Sequence, residues 1–389
     1  MNAQRALRSF RAPEEAATQE RTWTVVRDAY RMREPIRRRR PRGRLLLVPA
    51  VAIVLAAVTL SPAGATVGRW IRHALGVPHA APALFRLPAP GSVLVSGAGG
   101  TWTIAADGSS RRLGPWREAS WSPHGLFVAV TRSDHVAAVD PHGTLHWALA
   151  RPAARDPSWY VPTGYRVAYL SGRTLRVVAG DGTGDGLLAT GVASVAPAWQ
   201  PGSAYRLAYV TRSGVLVVRG ADSKRIIWTA PLSGQARELT WSADGGRLLA
   251  VTDTRASLYD PSGRKVATVA ALPGTPIRAA SLSPDGTALA LIRGSSNQDV
   301  VVLRFGSATP RARRVLSGAG LRQLAWSPDG HWLLVGWPAA DQWVFVRVTG
   351  MPRIAAVSRI ARQFSAHASA KDGFPRIEGW CCTTSGTAG

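Results

Sequence analysis

The chain has 389 residues and carries 48 basic against 23 acidic side chains, a formal net charge of +25 at pH 7. Only three of the basic residues are Lys, and this excess of Arg, with abundant Ala, Gly and Val, is typical of a GC-rich bacterial genome. No run interleaves Arg with aromatic residues as nucleic-acid binders do, so a nucleic-acid partner is not expected. The charge favours a generally solvated Arg surface, with anionic partners such as wall polymers or lipid headgroups as the alternative.

Residues 1–44 are predicted to form a basic cytoplasmic segment with one amphipathic helix. Thirteen Arg and five acidic residues give this segment a net charge of +8. Trp23, Val26 and Tyr30 recur at helical spacing, and Pro35 ends the pattern. Because an isolated helix of this length is marginal in water, it either folds onto a partner or the membrane, or is a frayed helix that only precedes the next element.

A single transmembrane helix is predicted over residues 45–66. Six Arg within residues 37–44 directly precede it, and no charge interrupts the 21 residues 45–65, close to the roughly 20 that cross a bilayer core. The positive-inside rule places the N-terminus in the cytoplasm and the rest of the chain outside the cytoplasmic membrane. A signal peptide cleaved after Ala63-Gly-Ala65 is the alternative. The long basic segment before the apolar run favours an uncleaved signal-anchor.

Residues 67–90 are predicted to hold an interfacial helix and a Pro-rich spacer. Apolar residues that include Trp70 share one face of a short helix, opposite Arg69 and Arg72. Directly after a membrane span, this pattern is typical of a helix lying at the headgroup level. The prolines that follow predict a stiff connection to the next domain.

From residue 91 onward the chain repeats one phrase at nearly even intervals. Its clearest copy is Trp326-Ser-Pro-Asp-Gly330, and the intervals between copies run from 38 to 44 residues. The large residues that lead the copies are Trp121, Trp159, Trp199, Trp241, Leu282 and Trp326. A period near 40 with several short strands per repeat is typical of a β-propeller blade. Ser-Pro-Asp-Gly supplies the turn, and each large residue is expected to fill the wedge between two blades.

The ends of the repeat region predict an all-β propeller of seven blades over residues 91–382. Residues 92–113 read as the later strands of a blade that lacks its first strand, and residues 374–380 read as that missing strand. Closure by strands from both ends removes the exposed edges of an open array. Six blades with irregular flanks are the alternative. Residues 383–389 are expected to be a disordered tail.

The repeated Trp-Ser-Pro-Asp-Gly phrase, followed by a strand rich in Ala and Val, resembles the WD40-like repeats of TolB-type propellers. The resemblance covers roughly residues 91–382. Eukaryotic-style WD40 repeats are a poorer match, because their Gly-His and Trp-Asp signatures are absent. TolB carries an additional α/β domain before its propeller, which residues 1–90 do not show. The resemblance therefore implies the propeller fold and not the partners of TolB.

No catalytic, cofactor-binding or metal-ligating residue is predicted. The chain has no Gly-x-Ser-x-Gly elbow, P-loop or dinucleotide fingerprint. Asp181-Gly-Thr-Gly-Asp185 has the spacing of a calcium loop, but it lacks the remaining oxygen ligands and lies where other repeats have a hairpin. His142 and His146 are expected on strands rather than on one helical face, so they form no metal pair.

Several other polar and aromatic residues are candidates for surface roles. Cys381 and Cys382 are adjacent, so in an oxidising compartment they form a vicinal disulfide or pair with another chain, or else they are incidental. His124 and His331 are expected in solvated turns at one rim of the disc. Five Trp residues are candidates for a binding surface, although most Trp in a propeller are expected between blades: Trp116, Trp147, Trp228, Trp337 and Trp343.

The leading functional prediction is a non-catalytic scaffold that binds a protein or an anionic cell-envelope ligand, since propellers offer a broad rigid face and the fold does not name the ligand. A second hypothesis is a sensor that signals through the cytoplasmic helix around Trp23 and Tyr30. A third, a hydrolase or lyase acting on wall material, predicts acidic or His clusters that converge at the channel mouth.

Overall fold

A computed structural model describes residues 86–160, 163–202, 205–271, 273–305, 311–364 and 373–382. The predicted cytoplasmic helix, the predicted transmembrane helix and the predicted interfacial helix lie outside these residues, as does the predicted tail at 383–389. Within the described ranges, no helix is long and apolar enough to cross a membrane.

The described residues form seven antiparallel sheets of four strands each, arranged as the blades of a propeller. The prediction of seven blades is therefore confirmed, and the six-bladed alternative is wrong. The innermost strands of blades 1 to 7 are β28 (Arg376–Cys381), β4 (Glu118–Trp121), β8 (Ala154–Trp159), β12 (Ala198–Trp199), β16 (Ala236–Trp241), β20 (Ile277–Leu282) and β24 (Gln323–Trp326). Each innermost strand contacts that of the next blade, so the seven surround a central channel.

The remaining strands continue each blade outward in the same order. The second strands are β1 (Ser92–Gly97), β5 (Val128–Arg132), β9 (Arg166–Ser171), β13 (Arg206–Val210), β17 (Leu248–Thr252), β21 (Ala288–Arg293) and β25 (Trp332–Trp337). The third strands are β2 (Gly100–Ile104), β6 (His135–Val139), β10 (Thr174–Ala179), β14 (Val215–Gly220), β18 (Arg255–Tyr259), β22 (Gln298–Arg304) and β26 (Gln342–Arg347). The outer strands are β3 (Ser110–Gly114), β7 (Leu145–Ala150), β11 (Gly186–Thr190), β15 (Ile226–Pro231), β19 (Lys265–Ala270), β23 (Arg311–Gly318) and β27 (Ile354–Ser358).

Blade 1 joins the two ends of the propeller. β28 pairs antiparallel with β1, with Trp380 opposite Val93. The Trp380 indole Nε1 donates a hydrogen bond to the Pro90 carbonyl at 3.1 Å. This pairing leaves no unpaired strand edge along the channel.

The hydrophobic core is divided among the spaces between blades. The described residues contain seven buried clusters, each made by two neighbouring blades. Between blades 2 and 3, for example, Trp159 packs with Val136 and Tyr169. This is the wedge-filling role predicted for the large residue of each repeat. Outer strands such as β7 alternate between exposed and half-buried residues, because only one of their faces packs on the protein.

The repeated turn is held by one buried Ser. In blade 7, Ser327 Oγ donates to Asp329 Oδ1 at 2.5 Å and accepts from the Trp332 N–H at 2.9 Å. Gly330 has a φ of +68°, a left-handed conformation that favours Gly. Equivalent Ser contacts recur in blades 2, 5 and 6. The Ser and the Gly of the repeated phrase are therefore both required by the turn.

Two short helices in blade 7 were not anticipated from the sequence. A 3-10 helix spans Pro338–Ala340 between β25 and β26, and α1 spans Ile360–Gln363 after β27. Ile360 is buried, and Phe364 stacks on Trp343 with 5.2 Å between ring centroids. These residues extend the cluster between blades 7 and 1.

Candidate functional site

Six of the seven innermost strands have an Arg at the same position, at their first or second residue or directly before the strand. It lies four residues before the large apolar residue that ends the strand. The six residues, which we call the arginine mouth, are Arg117, Arg155, Arg237, Arg278, Arg322 and Arg376. Because the innermost strands all run in the same direction along the channel, these Arg residues lie around one of its two ends.

A β-bulge recurs beside these Arg residues. In blade 5 the register shifts between Ala236 and Glu238, and in blade 6 it shifts between Ile277 and Ala279. In blade 7, the Arg322 N–H donates to the Gly336 carbonyl, and the next residue, Gln323, also pairs with Gly336. Two consecutive residues thus face one residue of the neighbouring strand. Bulges re-aim side chains at the rims of barrels. The repeated bulge therefore explains why this position can present a polar side chain at the mouth.

Among the described residues, half of the guanidinium groups of the arginine mouth have neither an ion-pair nor a hydrogen-bond partner. Arg155 contacts Asp156 at 3.5 Å, Arg278 donates to a backbone carbonyl at 3.2 Å, and Arg376 pairs with Glu378. The other three side chains are exposed. These three residues are Arg117, Arg237 and Arg322. Among the described residues, no side-chain partner contacts their guanidinium groups.

Four carboxyl groups lie next to the arginine mouth on the same innermost strands. We call them the channel carboxyls: Glu118, Asp156, Glu238 and Glu378. Glu118 accepts hydrogen bonds from the Asp156 backbone N–H and from Thr131 Oγ1, the latter at 3.3 Å. The contact between Glu118 and Asp156 joins blades 2 and 3 at the channel wall.

Burial raises the pKa of three channel carboxyls, which are Asp156, Glu238 and Glu378. It raises the pKa of Glu238 to about 7, against the opposing effects of a Thr240 hydrogen bond and the charge of Arg376. Burial likewise raises the pKa of Glu378 to about 7, although the positive charge of Arg376 opposes it. The pKa of Asp156 is raised by burial and by the negative charge of Glu118. Near neutral pH, Glu238 and Glu378 are therefore partly protonated.

Arg376 links these carboxyls electrostatically. Burial lowers the pKa of its guanidinium, but the carboxylates of Glu378, Glu118 and Asp156 outweigh that effect and raise it. Its side chain keeps 52% of its surface in contact with water, although protein surrounds it on most sides. The charge of Arg376 also lowers the pKa of Glu238, which lies in blade 5.

Blade 4 departs from the pattern at the same mouth. Its innermost strand, β12, has two residues, and Val195 stands where the other blades have Arg. A cavity of about 590 Å³ opens there between blades 3, 4 and 5, and we call it the blade-4 cavity. Arg173 and Arg212, which lie in turns of blades 3 and 4, are on its wall.

A second concavity lies on the opposite face, at the repeated Ser-Pro turns. This crevice of about 830 Å³ lies between blades 2 and 3 and is lined by Phe127, Trp147 and Trp159. Trp147 is half-buried and donates to the Gly180 carbonyl at 2.7 Å. Of the other candidate Trp residues, Trp337 and Trp343 are buried; Trp116 and Trp228 pack against clusters between blades. The prediction that most of these Trp residues lie between blades is confirmed.

The two Asp residues of the segment with calcium-loop spacing, Asp181 and Asp185, have structural roles. Asp181 accepts hydrogen bonds from Thr183 in a hairpin turn. Asp185 is instead bound by Arg151, Arg176 and Tyr169, and its side chain is 5% exposed. The two Asp residues therefore do not form one ligand set. Within the described ranges, no group of three or more His, Cys, Asp or Glu is placed to hold a metal ion.

The candidate His and Cys residues lie on the face opposite the arginine mouth. His124 and His331 are exposed in the repeated turns, as predicted, and His331 Nδ1 lies 2.9 Å from Thr349 Oγ1. Cys381 and Cys382 are joined to each other by a disulfide. Cys382 Sγ lies 3.5 Å from the Pro123 carbonyl oxygen. Of the three interpretations of this pair, the structure has the vicinal disulfide.

Comparison with known proteins shows the fold. No protein-family model and no curated protein matches the chain. A chain of the Mitotic Checkpoint Complex is similar, with 18% identity, a TM-score of 0.54 and coverage of 70% of this chain and 97% of that one. A putative 6-phosphogluconolactonase from Bacteroides uniformis has 15% identity, a TM-score of 0.52 and coverage of 70% and 98%. The fold is a seven-bladed, WD40-like β-propeller. At these identities the likeness shows no more than the fold.

The propeller domain of Cps50 (Swd1) from Myceliophteria thermophila is a further structural neighbour. It has 13% identity and a TM-score of 0.48, and the match covers 61% of this chain and 85% of that one.

The arginine mouth was not predicted from the sequence, where the basic charge was interpreted as a generally solvated surface. The repeat places these six residues together at one end of the channel. A signal was present: an Arg precedes the large residue of the repeat by four positions in blade after blade. The channel carboxyls were harder to predict from the sequence, because they become buried together only when the ring of blades closes.

Proposed function

We propose that the protein is a membrane-anchored, TolB-like bacterial propeller that lies outside the cytoplasmic membrane and acts as a non-catalytic binding scaffold. Its binding surface is the arginine mouth. The observation that carries this proposal is the recurrence of Arg at one end of the channel, where three guanidinium groups have no partner among the described residues. Like charges gathered at one mouth repel each other and do not stabilise the fold. Their repetition is better explained by a ligand than by stability.

Support for the anchor comes from the sequence of residues 37–65, in which six Arg precede an uncharged apolar run. The test is to fuse a reporter that is active only outside the cytoplasmic membrane to the C-terminus, and to determine the N-terminal sequence of the mature protein. Reporter activity with an intact N-terminus is expected. A mature protein that begins at Thr66 would indicate a cleaved signal peptide, and an inactive reporter would contradict the topology.

The binding proposal is tested by crosslinking in native membranes followed by affinity capture. The full-length protein is compared with R117Q/R237Q/R322Q, which removes the unpaired part of the arginine mouth. The control R225Q/R313Q/R353Q removes the same charge from exposed Arg residues elsewhere on the propeller. Partners retained by the control and lost from the mouth variant are expected. Equal recovery from both variants would exclude the mouth as the binding surface.

The sensor hypothesis concerns residues 1–33, which lie outside the described residues. A variant that lacks them separates it from the scaffold proposal in the same capture experiment. A scaffold retains its extracytoplasmic partners without these residues. Loss of a cytoplasmic regulator with the deletion would indicate a transmembrane sensor instead.

One observation favours the third hypothesis, a hydrolase or lyase. This hypothesis requires acidic or His groups that converge in the channel, and Glu238 and Glu378 are carboxyls there with pKa values near 7, a property of general acids and bases. The test is to incubate the full-length protein with isolated wall polymer and to measure released fragments by mass spectrometry. The scaffold proposal expects no release. Release that E378Q abolishes would replace it with catalysis.

A further inference from the structure

The blade-4 cavity carries positive charge and no opposing carboxyl. Arg173 lies on its wall in the turn between β9 and β10, and Arg212 in the turn between β13 and β14. None of the residues that line the cavity is Asp or Glu. The nearby Asp253 accepts a hydrogen bond from the Gln235 backbone N–H at 3.0 Å. The cavity therefore attracts anions.

The two guanidinium groups are available to a ligand. Arg173 and Arg212 are both exposed, and within the described ranges neither side chain has a hydrogen-bond or ion-pair partner. The polar side chains of Ser194, Ser213 and Gln235 on the wall are exposed and can donate hydrogen bonds. Thr211 is half-buried, and its Oγ1 lies 2.9 Å from Ser213 Oγ. A wall with several donors and two cations, on a rigid sheet scaffold, is suited to bind an anion rich in oxygen atoms.

The cavity is continuous with the arginine mouth. Ala236 lines it, and the next residue, Arg237, is a member of the mouth without a side-chain partner among the described residues. The short β12 and the Val at position 195 create the gap in which the cavity opens.

We propose that the blade-4 cavity binds a ligand that carries two or more phosphoryl groups. The inference rests on the proposed binding function and names the chemistry of its ligand. A planar guanidinium binds phosphate through two parallel hydrogen bonds. A phosphoryl group also has enough oxygen atoms to be shared between two guanidinium groups, whereas a carboxylate offers two. The two guanidinium groups of Arg173 and Arg212, on the wall of a cavity of about 590 Å³, therefore match a multiply phosphorylated anion better than a single carboxylate.

The experiment is isothermal titration calorimetry on the full-length protein in non-ionic detergent, with tripolyphosphate as the phosphoryl probe and citrate as the carboxylate probe. The variant R173Q/R212Q is compared with R225Q/R313Q, a control that removes two exposed Arg residues elsewhere on the propeller. Thermal unfolding checks that both variants fold. We expect tripolyphosphate to bind the wild-type protein at least about tenfold more tightly than citrate. Each guanidinium removed from the cavity should weaken tripolyphosphate about tenfold.

Three results would overturn the inference: no binding of tripolyphosphate at millimolar concentration, binding of citrate with equal affinity, or an equal loss in the control variant. Vesicles that contain cardiolipin, a lipid with two phosphoryl groups, distinguish the sources of the phosphoryl groups. Displacement of tripolyphosphate by the vesicles indicates a lipid headgroup, and its retention indicates a soluble or polymer-borne phosphate. Both results support the phosphoryl chemistry.

Failure of this inference and failure of the proposed function give different results. If R117Q/R237Q/R322Q loses partners in the capture experiment but the wild-type protein does not bind tripolyphosphate, the scaffold proposal stands and the phosphoryl site is overturned. Tripolyphosphate binding that depends on Arg173 and Arg212, with no partner captured through the mouth, supports the site and contradicts the scaffold proposal.

Discussion

Arg376 holds Glu378 through a single carboxylate oxygen. Its Nε and Nη2 lie 3.0 Å and 2.9 Å from Glu378 Oε2, and Oε1 has no hydrogen-bond partner within the described residues. An ion pair usually lowers the pKa of the acid. Here burial outweighs the pair, since only 4% of the Glu378 side chain is exposed, and its pKa rises to about 7. The channel wall therefore combines a permanent cation with an acid that titrates near neutrality.

Lowering the pH should stabilise the propeller. Glu238 and Glu378 have pKa values of about 7 in the folded protein against 4.5 for a free Glu side chain, so the folded protein binds protons that the unfolded chain has released. Their contribution to the free energy of unfolding is complete below pH 4.5 and is lost as the pH rises through about 7. We expect each of the two groups to change that free energy by on the order of 2 kcal/mol between pH 5 and pH 8.

The measurement is chemical denaturation of the full-length protein across this pH range, with E238Q/E378Q beside it. Gln mimics the protonated carboxyl and does not titrate, so the variant should show a flatter dependence. A slope that is unchanged in E238Q/E378Q would show that other groups are responsible.

R376Q should destabilise the fold modestly. Removal of one partner from a fully buried ion pair costs about 3 to 5 kcal/mol, but 52% of the Arg376 side chain is exposed and Glu378 can take up a proton. We therefore expect a loss of about 1 to 2 kcal/mol at pH 8 and less at pH 5. Denaturation at both pH values measures it. The control R322Q removes an unpaired member of the arginine mouth and should cost less than about 0.5 kcal/mol.

W380A tests the closure of the ring. Trp380 is 6% exposed and packs with residues of blade 7 in the cluster between blades 7 and 1. Its loss leaves a cavity there and should lower the free energy of unfolding by about 3 to 5 kcal/mol. The exposed Leu126, with 63% of its surface in water, provides the control, and L126A should change stability by less than about 0.5 kcal/mol. Equal effects would contradict the role of β28 as the closing strand.

The Cys381–Cys382 disulfide should contribute little to stability. A bond between adjacent residues closes almost no loop, so it restricts the unfolded chain very little. Alkylation of the unfolded, unreduced protein should leave both Cys residues unlabelled. Reduction should label both and shift the unfolding midpoint only slightly. Labelling without reduction, or disulfide-linked dimers, would contradict an intramolecular bond.

Most of the architecture was predictable because each blade repeats its own local chemistry. The Ser, Pro, Asp and Gly of the turn and the Trp that precedes it recur at a period the sequence displays openly. The short helix α1 was not predictable, since it depends on Ile360 and Phe364 packing against a neighbouring blade.

The candidate site was harder to predict for a different reason. Whether Arg237 faces the channel depends on a bulge, and one inserted residue reverses the face on which every following side chain lies. The raised pKa values of Glu238 and Glu378 depend on groups that are remote in sequence and meet only in the closed ring. The recurrence of Arg could have been noticed. Its convergence on one mouth required the structure.

The most direct test of the binding proposal is the comparison of wild-type protein with R117Q/R237Q/R322Q and with R225Q/R313Q/R353Q, by crosslinking in native membranes and affinity capture. We predict that the mouth variant folds normally and loses the extracytoplasmic partners that the control retains. Identical partners recovered with both variants would contradict the arginine mouth as the binding surface of this propeller.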